Sequence, residues 1–172
     1  MLAYGCTSYS LIGGADWEES LKTRLEEAAG VPVVTTAGAV AEGLRRLGAE
    51  RVSVFTPYED AVNEAERGFL EAQGFRVDAI RGLGFTDNQA IGRVSAERLE
   101  ASIDPAPGSD AVFVSCTSLP VIHLIEGLEE RHGLPFVTSN QATMWAVLWL
   151  LGGGGGLRRP LKRTRVTVKP PH

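Results

Sequence analysis

The chain has 172 residues and two cysteines, and both cysteines stand in the same tripeptide, Cys6-Thr7-Ser8 and Cys116-Thr117-Ser118. A thiol becomes a nucleophile or a base once it loses its proton. At a helix amino terminus the helix dipole and free backbone N–H groups favour the anion, and a thiol pKa of ~8.5 falls into the range of about 3.5 to 7.5. Thr and Ser hydroxyls beside such a turn, with its amides, suit a carboxylate. A single cysteine reads as a small buried hydrophobe; two in duplicated polar settings read as functional. Other chemistries lack their residues. Neither cysteine has a Cys or His companion at metal-ligand spacing, so no metal is expected. His123 and His132 read as surface or packing residues on a helix. No Gly-x-x-x-x-Gly-Lys phosphate loop occurs, and Gly82-x-Gly84 lacks the third glycine of a dinucleotide fingerprint, so no cofactor is expected either.

The elements that must position these thiols alternate between β-branched runs and helical patterns. Val52 to Phe55 and Ala111 to Ser115 read as buried parallel strands, Val33 to Thr35 and Phe136 to Thr138 as shorter ones, and Arg76 to Ile80 as an edge strand. Trp17, Leu21, Leu25 and Ala28 recur at helical spacing, as do Val40, Leu44 and Leu47, then Val62, Ala65 and Phe69, and finally Ile122, Ile125 and Leu128. The class is α/β. Each polar cluster follows a strand, which is where ligands bind in open parallel sheets. Thr56-Pro57-Tyr58 follows one strand, and Asn88 opens the segment after the Gly82 turn. On spacing alone Tyr58 is equally a capped surface aromatic, and Asn88 equally a helix cap beside Asp87.

The two halves repeat. Cys6 is followed by a helix, Gly30-Val31-Pro32-Val33-Val34-Thr35-Thr36 and a second helix, and Cys116 by a helix, Gly133-Leu134-Pro135-Phe136-Val137-Thr138-Ser139 and a second helix. Pseudo-twofold lobes would bring the two Cys-Thr-Ser turns face to face. Two strand–helix units precede Cys116 and only Met1 to Tyr4 precede Cys6, so the first lobe reads as incomplete, with an amino-terminal truncation. The expected organisation is residues 1–50 as the remnant of a first α/β lobe, 51–152 as a second lobe, and 153–172 as a flexible Gly-rich and basic tail, which begins in five consecutive glycines and carries Arg158, Arg159, Lys162, Arg163, Arg165 and Lys169 without an acid.

With 44% hydrophobic residues the chain can bury a core, and its net charge of −4 gives no general case for nucleic acid. Widely separated cysteines and no secretory leader point to a cytoplasmic, reducing setting. The longest apolar run, Met144 to Leu151, is far short of the ~20 residues needed to cross a bilayer, so no membrane association is expected.

GCTS at 5–8, TPYEDAVNEAERGFLEAQGF at 56–75, GLGFTDNQAIGRVS at 82–95, SCTS at 115–118 and TSNQATMW at 138–145 together resemble the aspartate/glutamate racemase superfamily. Within it they are most similar to maleate cis-trans isomerases, arylmalonate decarboxylases and ectoine-utilisation proteins. The resemblance implies two pseudo-symmetric parallel-sheet lobes and cofactor-independent chemistry on a small dicarboxylate. By position, Cys6 matches the nucleophilic cysteine, Cys116 the proton-handling one, and Tyr58 and Asn88 the groups that hydrogen-bond substrate carboxylate; Thr7, Ser8, Thr117 and Ser118 complete the expected substrate-binding set. Arylmalonate decarboxylases carry only the second cysteine, so Cys6 implies a maleate isomerase. A two-cysteine racemase, an ectoine-utilisation or decarboxylase-like protein, and a non-catalytic fragment or binding protein are the alternatives. Partner expectations are a small dicarboxylate, no nucleic acid and no membrane; a homodimer is left open.

Overall fold

The computed structural model describes residues 1–152; the tail assigned to 153–172 lies outside the described residues. The chain order is β1 (Leu2–Tyr4), α1 (Thr7–Leu11), α2 (Ala15–Ala29), β2 (Val33–Thr35), α3 (Thr36–Arg46), β3 (Arg51–Thr56), α4 (Asp60–Ala72), β4 (Arg76–Gly82), α5 (Asn88–Ile91), α6 (Ala96–Ser102), β5 (Ala111–Val114), α7 (Ile125–His132), β6 (Phe136–Thr138) and α8 (Ser139–Leu150). Every described strand pairing is parallel. One sheet has the order β1-β2, the other β4-β3-β5-β6, with β4 at the edge where its mixed, partly polar sequence fits.

A parallel sheet must be covered on both faces, because its crossover helices pack there. The four-stranded sheet obeys this rule. Val52, Val54, Phe113 and Val137 point into one cluster with Val40 and Leu44 of α3, Phe69 and Leu70 of α4 and Ala142 of α8. Phe55, Val112, Val114 and Phe136 point into the other with Ile91, Leu99, Ile103 and Leu128. Leu11 and Val34 from the first half join the first cluster, so α3 and α8 seat the two-stranded sheet on the larger one. Leu44 is fully buried at that junction, and truncating it to Ala would cost about 2–5 kcal/mol.

The internal repeat is written in hydrogen bonds as well as in sequence. Thr35 caps α3 by accepting from the Gly38 N–H, and Thr138 caps α8 by accepting from that of Gln141. Gly30 and Gly133 end the preceding helices at φ 65 and 66, a left-handed conformation that glycine adopts without penalty. Glu26 Oε1 accepts from the Val33 N–H and Glu129 Oε1 from the Phe136 N–H, each at 3.0 Å.

Between each cysteine and this shared unit the halves diverge, which corrects one expectation. Cys6 leads directly into α1, whereas no helix begins at Cys116. Residues 117–124 form turns, and α7 starts only at Ile125. Pro120 lacks the N–H a helix would need, and Cys116 takes a φ of 93 that a helix start forbids. Ile122, read as a helical apolar position, is therefore exposed, and His123 sits in a turn while His132 ends α7.

Candidate active site

The cysteine turns lie at the carboxyl ends of β1 and β5, where the strands stop and the backbone amides turn outward. Ser139, the first residue of α8, joins them. Its fully buried Oγ accepts a hydrogen bond from Thr7 Oγ1 at 2.9 Å and another from the Cys116 N–H at 3.0 Å. Thr117 Oγ1 donates to the Gly5 carbonyl at 3.3 Å, and Asn140 Nδ2 donates to the Thr117 carbonyl at 3.0 Å. Ser10 anchors the first turn from behind, donating to the Thr7 carbonyl and accepting from the Ala37 N–H of α3. The two Cys-Thr-Ser turns thus meet, as the repeat suggested.

Their environments are unequal. Cys6 is half-buried, in extended backbone as the cap residue of α1, with Sγ 4.0 Å from Ser8 Oγ. The N–H groups of a first helical turn have no intrahelical partner, so those of Thr7, Ser8 and Tyr9 face the space around the sulfur as anion donors. Cys116 is buried, 6% exposed, and its Sγ accepts from the Ser118 N–H at 3.4 Å. It is the one described non-glycine residue at positive φ, a conformation costing roughly 1–3 kcal/mol that persists only where the surroundings impose it.

Tyr58 belongs to the Cys116 side. It is 8% exposed and lies in the same buried cluster as Cys116. Burial first, then the nearby Cys116 and Glu66, push its ionisation far above the usual phenol range, with Ser115 pulling weakly the other way. At neutral pH it is a neutral donor. Thr56 Oγ1 accepts from the Tyr58 N–H at 3.1 Å and donates to Asn63 Oδ1, which fixes the turn carrying the ring.

The expected site residues separate on these grounds. Cys6, Thr7, Ser8, Cys116, Thr117 and Tyr58 are brought together. Thr7 has its hydroxyl engaged with Ser139, so its backbone N–H is the group left for a ligand. Ser118 is exposed on the Cys116 turn, and Gly92 at the end of α5 lies against it. Asn88 opens the four-residue α5, capped by Asp87; it is exposed, and its side chain makes no described contact with the cysteine turns. Ser139, Ser115 and Glu66 were missed. The Thr138-Ser139 pair does repeat Thr35-Thr36, a signal for the bridging hydroxyl, and Glu66 stands at helical spacing with Val62 and Phe69, a carboxyl on a core-facing stripe. Among the described residues no His, Cys, Asp or Glu cluster could hold a metal ion, and no helix is long and apolar enough to cross a membrane.

A cavity of about 210 Å³ lies beside the Cys116 turn at the ends of β3 and β5, walled by Phe55, Leu83, Leu99, Ile103, Val114 and Leu119, with Arg81 at its polar side.

Comparison with known proteins gives this arrangement a family. The arylmalonate decarboxylase family model matches residues 2–157. The chain is 36% identical over 156 residues to the arylmalonate decarboxylase of Bordetella bronchiseptica, covering 88% of this chain and 65% of that protein. It is 29% identical over 156 residues to the maleate isomerase of Nocardia farcinica, covering 86% and 62%. Among solved structures, a liganded glycine-to-cysteine, cysteine-to-serine double variant of arylmalonate decarboxylase superposes with TM-score 0.84 at 35% identity, over 89% of this chain and 67% of that one. A cysteine-to-serine variant of the Nocardia farcinica maleate cis-trans isomerase, carrying a covalently bound succinylcysteine intermediate, superposes with TM-score 0.82 at 30% identity, over 87% and 64%. The chain spans about 65% of the length of the curated relatives it matches. With both cysteine turns and the parallel sheets inside the matched span, the chain belongs to the arylmalonate decarboxylase family, whose matched relatives are arylmalonate decarboxylase and maleate isomerase.

Proposed function

We propose that this chain carries the chemistry of a cofactor-independent maleate cis-trans isomerase, and the observation that carries the reading is the inequality of its two joined thiols. Cys6 is accessible and sits at a helix start; Cys116 is shielded, in one buried cluster with a phenol that stays neutral. One suits attack on carbon, the other custody of a proton. The Cys6 thiolate adds to one alkene carbon of maleate, and the electron pair moves onto the adjacent carbon and its carboxylate. Cys116 delivers a proton to that carbon, giving a succinyl thioether in which the former double bond is single and turns freely. Cys116 then reclaims the proton and the Cys6–carbon bond breaks, leaving fumarate and both thiols restored. The first-turn amides of Thr7 and Ser8, the Tyr58 hydroxyl and the Thr117-Ser118 turn hold the carboxylates and the charge that develops between them. The covalent succinylcysteine named for the Nocardia farcinica isomerase variant supports such an adduct.

A second reading, decarboxylation of an arylmalonate, has its own support in the 36% identity to the Bordetella enzyme and in the apolar cavity beside Cys116, which would accept an aromatic ring. Proton NMR of the chain with maleate and, separately, with phenylmalonate distinguishes the two. Fumarate formation that Cys6→Ser abolishes, with a maleate adduct retained by Cys116→Ser in intact mass spectra, supports the isomerase. Phenylacetate formation that survives Cys6→Ser, without fumarate, overturns it in favour of the decarboxylase.

A further inference from the structure

Asn140 is the second residue of α8, and its exposed side chain turns to the Cys116 turn, where Nδ2 donates to the Thr117 carbonyl at 3.0 Å. The helix itself gives no reason for an amide there. The positive end of a helix dipole favours an acid, and the first turn of α8 carries none. What an amide has and a carboxylate lacks is a hydrogen to donate.

The carbonyl that Asn140 holds is one end of a peptide group whose other end is the Ser118 N–H, the donor to Cys116 Sγ at 3.4 Å. No cis peptide bond occurs among the described residues, so this C=O and N–H lie on opposite sides of one rigid plane and turn together. Fixing the carbonyl therefore aims the N–H at the sulfur. A hydrogen bond on the oxygen also draws electrons from the nitrogen, which strengthens the N–H as a donor. Ser139, the preceding residue of α8, takes the Cys116 N–H at 3.0 Å, so two successive residues clamp the turn on both sides of the positive φ at Cys116. The first half holds the corresponding carbonyl by another route. Ala37 stands where Asn140 stands in the repeat and has no side-chain donor; the Thr7 carbonyl accepts from Ser10 Oγ at 2.9 Å instead. In both halves a side-chain donor sits on the carbonyl of the residue after the cysteine.

We propose that Asn140 is a positioning residue that sets the reactivity of Cys116 by holding the Thr117–Ser118 peptide with its N–H on the sulfur. A donor so held favours the thiolate, the reactive form, over the thiol. The consequence for turnover rests on the proposed role of Cys116 as proton carrier, but the clamp is tested on the thiol alone.

The test uses the full chain carrying Cys6→Ser, in which Cys116 is the sole cysteine. Its rate of reaction with methyl methanethiosulfonate is followed from about pH 6 to 10 in about 1 M salt, which screens charge between exposed groups. Asn140→Leu, close in size and without a donor, should react roughly three- to tenfold more slowly near pH 7, the factor that one net hydrogen bond is worth. The gap should narrow toward the alkaline end, as the thiol ionises in parent and variant alike. Asn140→Asp suits the helix start and so keeps the fold, but its carboxylate has nothing to donate, and it should slow the reaction at least as much. In a Cys116→Ser chain, where Cys6 is the sole cysteine, Asn140→Leu should leave the rate unchanged. An unchanged or faster Cys116 rate in either variant, a gap constant across pH, or a Cys6 rate slowed as much as that of Cys116 would overturn the proposal, and Asn140→Asp decides even where Asn140→Leu fails to fold. A parent chain that does not turn over maleate while these rates behave as expected would refute the substrate assignment and leave this inference standing.

Discussion

Replacing Glu66 with Gln should remove a large alkaline loss of stability. In the unfolded chain this carboxyl ionises near 4.5, while in the folded chain burial holds its proton up to about 8. Between those values the folded state binds a proton that the unfolded state has released. The contribution is therefore fully present below 4.5 and is lost as pH rises through about 8. At ~1.4 kcal/mol per pH unit, the interval corresponds to at most about 5 kcal/mol, a large share of the 5–15 kcal/mol that roughly bounds domain stability. For a chain of this size about 2–4 °C accompanies each kcal/mol, so a melting temperature falling by roughly 10–20 °C between the two limits is the upper expectation. Urea denaturation at about pH 5 and pH 8 measures it directly through the midpoint at constant slope. Gln keeps the shape and the bond to Ser115 without titrating, so its midpoint should stay nearly level and exceed the parent's at the alkaline end. His132 cannot imitate this result, because burial, then Arg131, lower its ionisation, and its contribution is lost as pH falls rather than rises. Parallel pH profiles for parent and Glu66→Gln would refute the argument, since they would mean that Glu66 is ionised when buried.

Three further outcomes follow from the same geometry. Ser139→Ala leaves the Thr7 hydroxyl and the Cys116 N–H without their shared acceptor, and should cost about 2 kcal/mol in urea denaturation while lowering the reactivity of both thiols. Gly82→Ala would drive a Cβ into the Tyr58 carbonyl oxygen and the Asn63 amide; it should reduce turnover by displacing Tyr58, and a variant as active as the parent would show that the ring position is not critical. Cys116→Gly should be more stable than Cys116→Ala by about 1–2 kcal/mol, the reverse of their usual order, because both lose the thiol but only glycine accepts a φ of 93 without strain; equal melting temperatures would mean that the turn relaxes.

The α/β class, the parallel strands, the edge position of β4 and the doubled unit were legible in the sequence because each is a local pattern. Continuous β-branched runs mark strands covered on both faces, helical spacing marks their crossovers, and Gly-x-Pro followed by Thr-Thr or Thr-Ser marks a helix stop, a strand and a cap in both halves. The pairing of Cys6 with Cys116 was legible too, since a repeat carries its own geometry. What the repeat could not convey is how the two copies differ. That Cys6 opens a helix while Cys116 occupies a strained turn depends on Pro120 and on the packing of residues 117–124, and that makes the thiols chemically unequal. Nor could local pattern reveal that Ser139 bridges residues 7 and 116, or that Glu66, charged by its letter, lies in a place with no solvent, bonded to the Ser115 hydroxyl one residue before Cys116. Those facts belong to pairs of residues 23 to 132 positions apart, brought together only when two apolar faces close on one sheet. Burial then favours the neutral form of a surface-type carboxyl, and no property of the residue or its neighbours along the chain contains that change.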